Sequence, residues 1–181
     1  IMLLGGTLAP ASGMTLTSNL TGHGVVGAPG SLLRIAAQIS PGGPIVDSGA
    51  PGAPAVIEFA GDLALDPAAI TRIDLFSPAV SDLILVAGRA DVDGSLVVTH
   101  DASYTPSLGD TFTILQSGSG VFGVFASESL PALSGGLSFW VANTGAALEV
   151  RVIPAPGAAA LFLWGLLAGP RRARRTPPVP A

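Results

Sequence analysis

The hydrophobic residues between positions 1 and 153 lie in short segments that are separated by Gly, Pro, Asp and Ser. Within these segments hydrophobic and polar residues alternate, as in Ile57-Glu58-Phe59 and Ile73-Asp74-Leu75. Because successive side chains of a strand point to opposite faces, this alternation predicts strands with one buried face. No part of this region keeps a 3.6-residue period for three turns, and only Pro67–Ile70 is compatible with a single helical turn. The predicted strands are Met14–Leu20, Leu32–Ile39, Ala55–Ala60, Ile70–Phe76, Asp82–Ala87, Ser95–His100, Thr111–Leu115, Leu137–Ala142 and Ala147–Ile153.

A second pattern begins at Pro154 and Pro156, after which a continuous apolar segment replaces the alternation. The segment Gly157–Gly169 has thirteen residues and no polar side, so none of its faces prefers water. As a helix it is about 20 Å long, while the hydrocarbon core of a bilayer is about 30 Å thick. We predict a single hydrophobic membrane helix here, and a helix docked on its own domain is the alternative. The residues that define it are Gly157, Leu161, Phe162, Leu163, Trp164, Leu166, Leu167 and Gly169.

An arginine cluster follows the apolar segment and holds four of the eight basic residues of the chain. Long arginine side chains reach toward the membrane surface, which extends the effective length of a short helix. Guanidinium groups also resist crossing the bilayer, so the cluster predicts a stop that stays on the cytoplasmic side of the membrane. The residues of this basic stop are Arg171, Arg172, Arg174 and Arg175.

These patterns divide the chain into four parts. We expect residues 1–153 to form a β-rich extracellular body and residues 154–156 a proline hinge. Residues 157–175 comprise the membrane helix with its basic stop, and residues 176–181 are predicted to be a disordered tail. Export needs a leader peptide, and the segment after Ile1 lacks the basic start and length of one. We therefore interpret the chain as a fragment of a longer exported protein.

Two all-β arrangements fit the body. In a β-sandwich or jelly roll, two antiparallel sheets face one core. In a solenoid, short strands stack in rungs with glycine and small polar residues at the corners. Such corners are predicted at Gly5–Pro10, Gly22–Val26 and Ser40–Gly43, and Ile45–Pro54 is predicted to be a loop outside the rungs. We favour the end of a right-handed parallel β-helix, closed by a β cap, with the sandwich or jelly roll as the alternative.

Hydrophobic residues near the end of the body are predicted to fill its core or cap. A carbohydrate-binding role for Trp140 is the alternative for that residue. The predicted core and cap residues are Phe112, Ile114, Phe122, Val124, Phe125, Phe139 and Trp140.

Charge and cysteine content narrow the possible functions. Residues 1–153 carry twelve acidic residues and four arginines, a net charge of −8, while the tail carries +4. An acidic body excludes ordinary nucleic-acid binding, which needs a basic surface. The chain has no cysteine, which excludes disulfides, thiolate metal sites and cysteine nucleophiles.

Few residues of the chain form a pattern typical of a catalytic, metal-binding or phosphate-binding site. His23 is predicted to lie in a solvated turn, and His100 beside Asp101 resembles an oriented base but lacks a nucleophile elbow to accompany it. Asp91–Gly94 resembles the start of a calcium loop, without the later ligands that such a loop needs, and is predicted to be a tight turn between the strands Asp82–Ala87 and Ser95–His100. Ser117–Gly120 is rich in glycine, but no lysine or helix follows it, so it is not a phosphate loop. No catalytic residue, cofactor or metal ion is predicted.

The C-terminal region resembles the PEP-CTERM sorting signal of Gram-negative surface and exported proteins. The resemblance rests on the three-part layout of motif, apolar segment and arginine cluster, with Ala155 at the usual position of glutamate. It implies an exported, cell-surface protein that is anchored in the inner membrane before an exosortase-type enzyme processes it. The residues of the sorting motif are Val152, Ile153, Pro154, Ala155 and Pro156.

The body resembles the passenger β-helices of autotransporter-type and PEP-CTERM surface proteins. The matching segments are Gly5–Pro10, Gly22–Val26, Ser40–Gly43, Gly109–Leu115 and Leu130–Ser138. This resemblance implies a non-enzymatic structural or adhesive role, with an exopolysaccharide as a partner.

The rival function is an extracellular polysaccharide hydrolase or lyase on a β-helix. Such an enzyme needs paired carboxylates at one cleft, and Asp62, Asp66 and Asp74 are the candidates if they converge across neighbouring rungs.

Overall fold

The computed structural model of the chain describes residues 1–42, 53–78 and 80–156. Seventeen strands and no helical element form in these residues, and strands account for 59% of them. The all-β prediction is therefore confirmed, while the predicted C-terminal helix lies outside the described residues. In chain order the strands are β1 (Met2–Leu8), β2 (Met14–Leu16), β3 (Leu20–Val26), β4 (Leu32–Ile35), β5 (Gln38–Pro41), β6 (Val56–Phe59), β7 (Asp62–Leu65), β8 (Ile70–Ser77), β9 (Val80–Ser81), β10 (Leu83–Val86), β11 (Ala90–Val92), β12 (Ser95–His100), β13 (Thr111–Ser117), β14 (Val121–Gly123), β15 (Ser127–Ser129), β16 (Leu137–Asn143) and β17 (Ala147–Pro154).

The strands form two sheets. The larger sheet has twelve strands and is curled into a half-barrel; its main path is β15-β12-β8-β5-β3-β6-β10-β13-β17-β16, with β1 beside β3 and β9 beside β8. The second sheet has five strands in the order β14-β11-β7-β4-β2. Parallel pairing predominates in the described residues. Antiparallel ladders, which a sandwich or jelly roll requires throughout, are limited to β8–β9, β13–β17 and β16–β17.

Successive strands run from the larger sheet to the second sheet and back, and the next strands repeat this path beside them. Strands β6, β7 and β8 make one such circuit, β10, β11 and β12 the next, and β13, β14 and β15 another. Equivalent strands pair in parallel, so that Ile57 lies opposite Ile84 in the larger sheet and Leu63 opposite Ala90 in the second. Each circuit therefore pairs with the next one strand by strand.

The circuits differ in length. Val26, Phe59, Val86 and Ser117 are successive partners in one column of the larger sheet, and they are separated by 33, 27 and 31 residues. Because the strands keep their register, the differences in length fall in the connections between strands. This explains why the sequence shows no fixed period.

The inward residues of both sheets form one hydrophobic core. Along β8 and β12, buried positions alternate with more accessible ones, as expected for strands with a single inward face. Partners in neighbouring strands share a face, so Ile57 stacks beside Ile84 and Phe59 beside Val86. The largest fully buried side chains are Phe59, Phe112, Leu20, Leu33, Ile35, Ile39, Ile57, Leu63, Ile73, Leu75, Ile84 and Leu96.

Three segments that were predicted to be corners belong wholly or partly to strands. Gly22–Val26 lies inside β3, Gly5–Pro10 begins inside β1, and Ser40–Gly43 begins inside β5. The glycine at position 22 is required by the close approach of β1 and β3: a β-carbon there would lie 1.9 Å from the carbonyl oxygen of Leu3. Its φ of +98° is also one that other residues rarely adopt. The corner prediction is wrong here because a glycine needed for packing was interpreted as a turn glycine.

The predicted strands all overlap observed ones, but their boundaries miss several corners. Met14–Leu20 runs from β2 through a corner into β3, and Leu32–Ile39 runs from β4 into β5. Asp91–Gly94, predicted to be a turn, begins inside β11. The predicted loop at Ile45–Pro54 lies mostly outside the described residues. The strands that were not predicted as separate elements are β1, β3, β5, β7, β9, β11, β14 and β15.

The last two strands end the parallel arrangement. Strand β17 pairs antiparallel with both β13 and β16. The Asn143 side-chain amide donates to the carbonyl oxygens of Val121 and Gly123 at 3.4 and 3.3 Å, and the Val121 N–H donates to the carbonyl of Gly145 at 2.8 Å. These contacts cover the outer edge of β14 in the second sheet.

Burial near this end agrees with the prediction only in part. The predicted core residues that are buried are Phe112, Ile114, Phe125 and Phe139. The prediction is wrong for those that are exposed, namely Val124 at 68%, Trp140 at 51% and Phe122 at 45%. The reason is that successive side chains of a strand point to opposite faces. Val121 and Phe139 point into the core, so Phe122 and Trp140, the residues that follow them, point outward. Val124 lies just beyond the end of β14.

Candidate functional site

The predicted sorting motif begins inside the last strand. Val152, Ile153 and Pro154 pair with Phe139, Ser138 and Leu137 of β16, and Val152 is buried. Proline suits the end of β17 because it has no N–H to give to a sheet ladder. The next residue, Ala155, still donates its N–H to the carbonyl of Gly136 at 2.7 Å. Paired backbone therefore continues to residue 155, beyond the predicted start of the hinge at residue 154.

The loop before β13 also holds this end of the chain. The Gly109 N–H donates to the carbonyl of Val152 at 3.0 Å, and the Val152 N–H donates to the carbonyl of Asp110 at 2.9 Å. The Asp110 carboxylate accepts hydrogen bonds from the Tyr104 hydroxyl and, at 2.7 Å, from the Ser107 N–H. Burial is the main cause that raises the pKa of Tyr104, and the hydrogen bond to Asp110 raises it further. The Tyr104 hydroxyl therefore stays protonated.

Aromatic rings pack beneath the loop. The Tyr104 and Phe112 rings meet edge to face with centroids 5.8 Å apart, and Phe112 and Phe139 do the same at 6.3 Å. His100 lies beside Phe139 at 6.2 Å. The strand that carries the motif is thus supported by a packed aromatic cluster, defined as Tyr104, Phe112 and Phe139.

The rest of the predicted tail lies outside the described residues. This holds for the membrane helix from Gly157 to Gly169, the basic stop from Arg171 to Arg175 and the end segment 176–181. Within residues 1–42, 53–78 and 80–156, no helix is long and apolar enough to span a membrane.

Neither histidine belongs to an acid–base pair in the described part of the chain. His23 is exposed in the middle of β3, opposite Leu4, instead of in a corner. The Nδ1 atom of His100 contacts the backbone carbonyl of Asp101 at 3.0 Å, not its carboxylate. That carboxylate accepts the Ser103 N–H at 2.7 Å, and this hydrogen bond lowers the pKa of Asp101. The histidine–aspartate neighbours therefore form a turn.

The Asp91–Gly94 segment is also explained by local contacts. Asp91 pairs with Arg89, whose Nε and Nη2 atoms donate to Oδ1 at 2.8 and 2.5 Å. Asp93 accepts the Gly94 N–H at 2.7 Å, which closes the turn after β11. Among the described residues no group of three or more acidic or histidine side chains is placed to hold a metal ion.

The three acidic candidates for hydrolysis lie in two different sheets. Asp62 is the first residue of β7 in the second sheet and accepts the Arg89 N–H at 2.8 Å, and Asp66 follows β7 and lies 3.5 Å from Arg34. Asp74 lies in β8 of the larger sheet, where its carboxylate accepts the Thr99 hydroxyl.

Asp74 instead has a neighbour that the sequence analysis did not select, Asp82. The Asp82 residue is only 1% exposed, and its carboxyl oxygens accept the N–H groups of Ala55 at 3.0 Å and of Asp74 at 3.1 Å. Burial raises the pKa of Asp82 to about 8, with the charge of Asp74 adding to the effect and the two backbone hydrogen bonds opposing it. A protonated carboxyl beside a carboxylate is an arrangement used in acid–base catalysis, but burial keeps a substrate away from this one. Through these two hydrogen bonds Asp82 links Ala55, the residue before β6, to Asp74 in β8.

A shallow groove crosses the outer face of the second sheet. It has a volume of about 470 Å³, and its lining includes Arg34, Asp66, Arg89, Asp91 and Phe122. The Arg89 guanidinium carbon lies 4.0 Å from the centre of the Phe122 ring, a cation–π contact. No sequence signal links these residues, because they are brought together only by the register of β4, β7, β11 and β14.

Trp140 is the second exposed aromatic residue of a strand. It lies opposite Arg151 in β17, and Arg151 pairs with Glu149 at 2.6 Å.

A scan against protein-family models and a search of curated proteins both find no match to this chain.

Proposed function

We propose that the protein is a non-enzymatic structural or adhesive protein of the bacterial cell surface that carries a C-terminal sorting and membrane-anchoring signal. In this proposal an exosortase-type enzyme processes the signal after the membrane helix has held the exported chain at the inner membrane. The body is the end of a right-handed parallel β-helix. Support for that architecture comes from the parallel register that repeats from circuit to circuit.

One observation carries the proposal: the last strand of the described body runs into the predicted motif itself. Strand β17 and the Ala155 hydrogen bond hold the backbone until residue 155, and the apolar segment and arginines follow at once. A signal that is read by a membrane enzyme has to leave the body as an accessible segment close to the membrane. The order of strand, prolines, apolar segment and arginines meets that need.

A polysaccharide hydrolase or lyase is not proposed. Its candidate carboxylates are divided between two sheets, and the Asp82 carboxyl beside Asp74 is buried.

The anchoring role is tested by fractionation. The chain is expressed behind a cleavable export signal in a Gram-negative host that lacks an exosortase, and membranes are washed with alkaline carbonate. We expect the full chain in the membrane pellet and a variant without Gly157–Arg175 in the soluble fraction, because only lipid solvates a helix that is apolar on all sides. Replacement of Arg171, Arg172, Arg174 and Arg175 by Ser should weaken retention while the body stays folded.

The matched control removes residues 176–181 and leaves the apolar segment and the arginines intact. This variant should stay in the pellet. Recovery of the uncleaved full chain wholly in the soluble fraction would contradict the proposal and favour the docked helix.

A further inference from the structure

We propose that the groove on the second sheet binds a neutral polysaccharide chain. This inference deepens the proposed adhesive role and rests on it, by assigning the surface and the chemical class of the ligand.

The floor of the groove is a column of residues in register across the second sheet. Arg34 lies opposite Ala64, Ala64 opposite Asp91 and Asp91 opposite Phe122. Neighbouring strands are about 4.8 Å apart, so the column is about 14 Å long. The small side chain of Ala64 makes the depression at its centre. The shape suits an extended polymer that crosses the strands.

Both arginines of the groove are paired with acids inside it, and the third acid of its lining, Asp93, accepts the Gly94 N–H. Arg34 lies 3.5 Å from Asp66, and Arg89 lies 2.5 Å from Asp91, with roughly half of each of the two arginine side chains exposed. A strongly anionic polymer would meet the carboxylates and the acidic body as well as the guanidinium groups. Charge complementarity therefore favours a ligand without net charge.

The polar atoms suit hydroxyl groups. Arg89 uses its Nε and Nη2 atoms on a single oxygen of Asp91, while Arg89 Nη1 and Asp91 Oδ2 have no hydrogen-bond partner among the described residues. A hydroxyl group both donates and accepts, so one sugar can satisfy a guanidinium and a carboxylate that stand side by side.

Phe122 supplies the apolar contact. The Phe122 residue is 45% exposed, and the guanidinium of Arg89 packs against its ring, 4.0 Å from the ring centre. An aromatic ring that is already held by a neighbour loses little conformational freedom when the C–H face of a sugar packs against it. An exposed ring beside paired donors and acceptors is the combination that an uncharged polyhydroxyl chain requires.

The test is native affinity electrophoresis of the full chain in non-ionic detergent, through gels that contain hydroxyethyl cellulose, dextran or galactomannan. Alginate serves as the anionic comparison. At least one neutral polymer should retard the wild type, and Phe122→Ala should weaken that interaction about tenfold or more. Arg89→Lys should weaken it as well, because lysine keeps the charge but loses the planar contact with Phe122. Val124→Ala, the control at an exposed hydrophobic residue outside the groove lining, should migrate like the wild type. Loss of retardation in Trp140→Ala but not in Phe122→Ala would place the carbohydrate contact at Trp140 and overturn the proposal.

Salt dependence gives a second readout. Because the charges are paired, retardation should change little between about 50 mM and about 500 mM salt. Circular dichroism of each variant shows whether it is folded, and if Phe122→Ala is not, Arg89→Lys and Asp91→Asn decide the question. The proposal is overturned if no neutral polymer retards the wild type, if only alginate does, or if folded groove variants bind as the wild type does. Loss of anchoring in the fractionation experiment leaves this binding result intact, so the two failures are distinguishable.

Discussion

Asp82 should make the stability of the protein decrease as pH rises toward 8. An aspartate has an ordinary pKa of 3.8, whereas burial raises the pKa of Asp82 to about 8. Between these values the folded chain keeps a proton on Asp82 that the unfolded chain has released. Raising the pH therefore favours the unfolded state, and the free energy of unfolding contributed by this site falls by about 1.4 kcal/mol per pH unit across the window.

Over the whole window the loss is on the order of 5 kcal/mol, which is comparable with the total stability of many domains. The assay is equilibrium unfolding of the full chain in urea, followed by circular dichroism at several pH values between about 4 and about 9. Asp82→Asn removes the titrating group, so its free energy of unfolding should change far less with pH than that of the wild type. Asn also has one oxygen fewer to accept the N–H groups of Ala55 and Asp74, which lowers its stability at acidic pH.

Val98→Ala provides the matched control, because it destabilises the same sheet through a buried residue that does not titrate. It should lower stability at every pH and keep the wild-type slope. Equal slopes in the wild type and Asp82→Asn would refute the reasoning, since they would show that Asp82 has the same pKa in the folded and unfolded chain.

Two further predictions concern packing. Phe112→Ala should cost about 3–5 kcal/mol in the free energy of unfolding, because it empties the centre of the aromatic cluster, whereas Val124→Ala at an exposed site should cost less than about 0.5 kcal/mol. A loss below about 1 kcal/mol for Phe112→Ala would show that β13 is peripheral to the core. Gly22→Ala should cost about 2 kcal/mol more than Gly13→Ala, because both glycines have positive φ but only position 22 brings a β-carbon against the Leu3 carbonyl. Equal thermal shifts for the two alanine variants would contradict the close approach of β1 and β3.

The strand content was predictable because it depends on local alternation. Ser95–His100 has the predicted bounds, and the observed strands at residues 111–117 and 137–143 begin where the sequence indicates. The missed strands carry weaker local signals: β11 and β14 have three residues each, and β3 contains Gly22 and Gly24, which resemble a turn. Only the presence of β1 alongside explains those glycines, and that neighbour is nineteen residues away at Leu3.

The candidate sites were less predictable because they are made by contacts between distant residues. Asp82 sits at the start of a predicted strand, where an acid usually faces water, and its partner Ala55 is 27 residues away. Arg89 and Phe122 are 33 residues apart, and nothing in the sequence indicates that they meet. The sequence predicts a sorting motif at Val152–Pro156, but the pairing of its first residues with β16 depends on the register of the whole sheet.

The unequal circuits have a consequence for how such a chain changes during evolution. Partners in one column of the larger sheet are separated by 33, 27 and 31 residues, yet their side chains remain stacked. An insertion in a connection adds surface loop without disturbing the core, whereas one extra residue inside a strand would turn every following side chain to the opposite face. The connections are therefore the places where homologues can diverge in length and where a foreign peptide can be grafted, while the strand columns tolerate exchange of residues but not a change in their number.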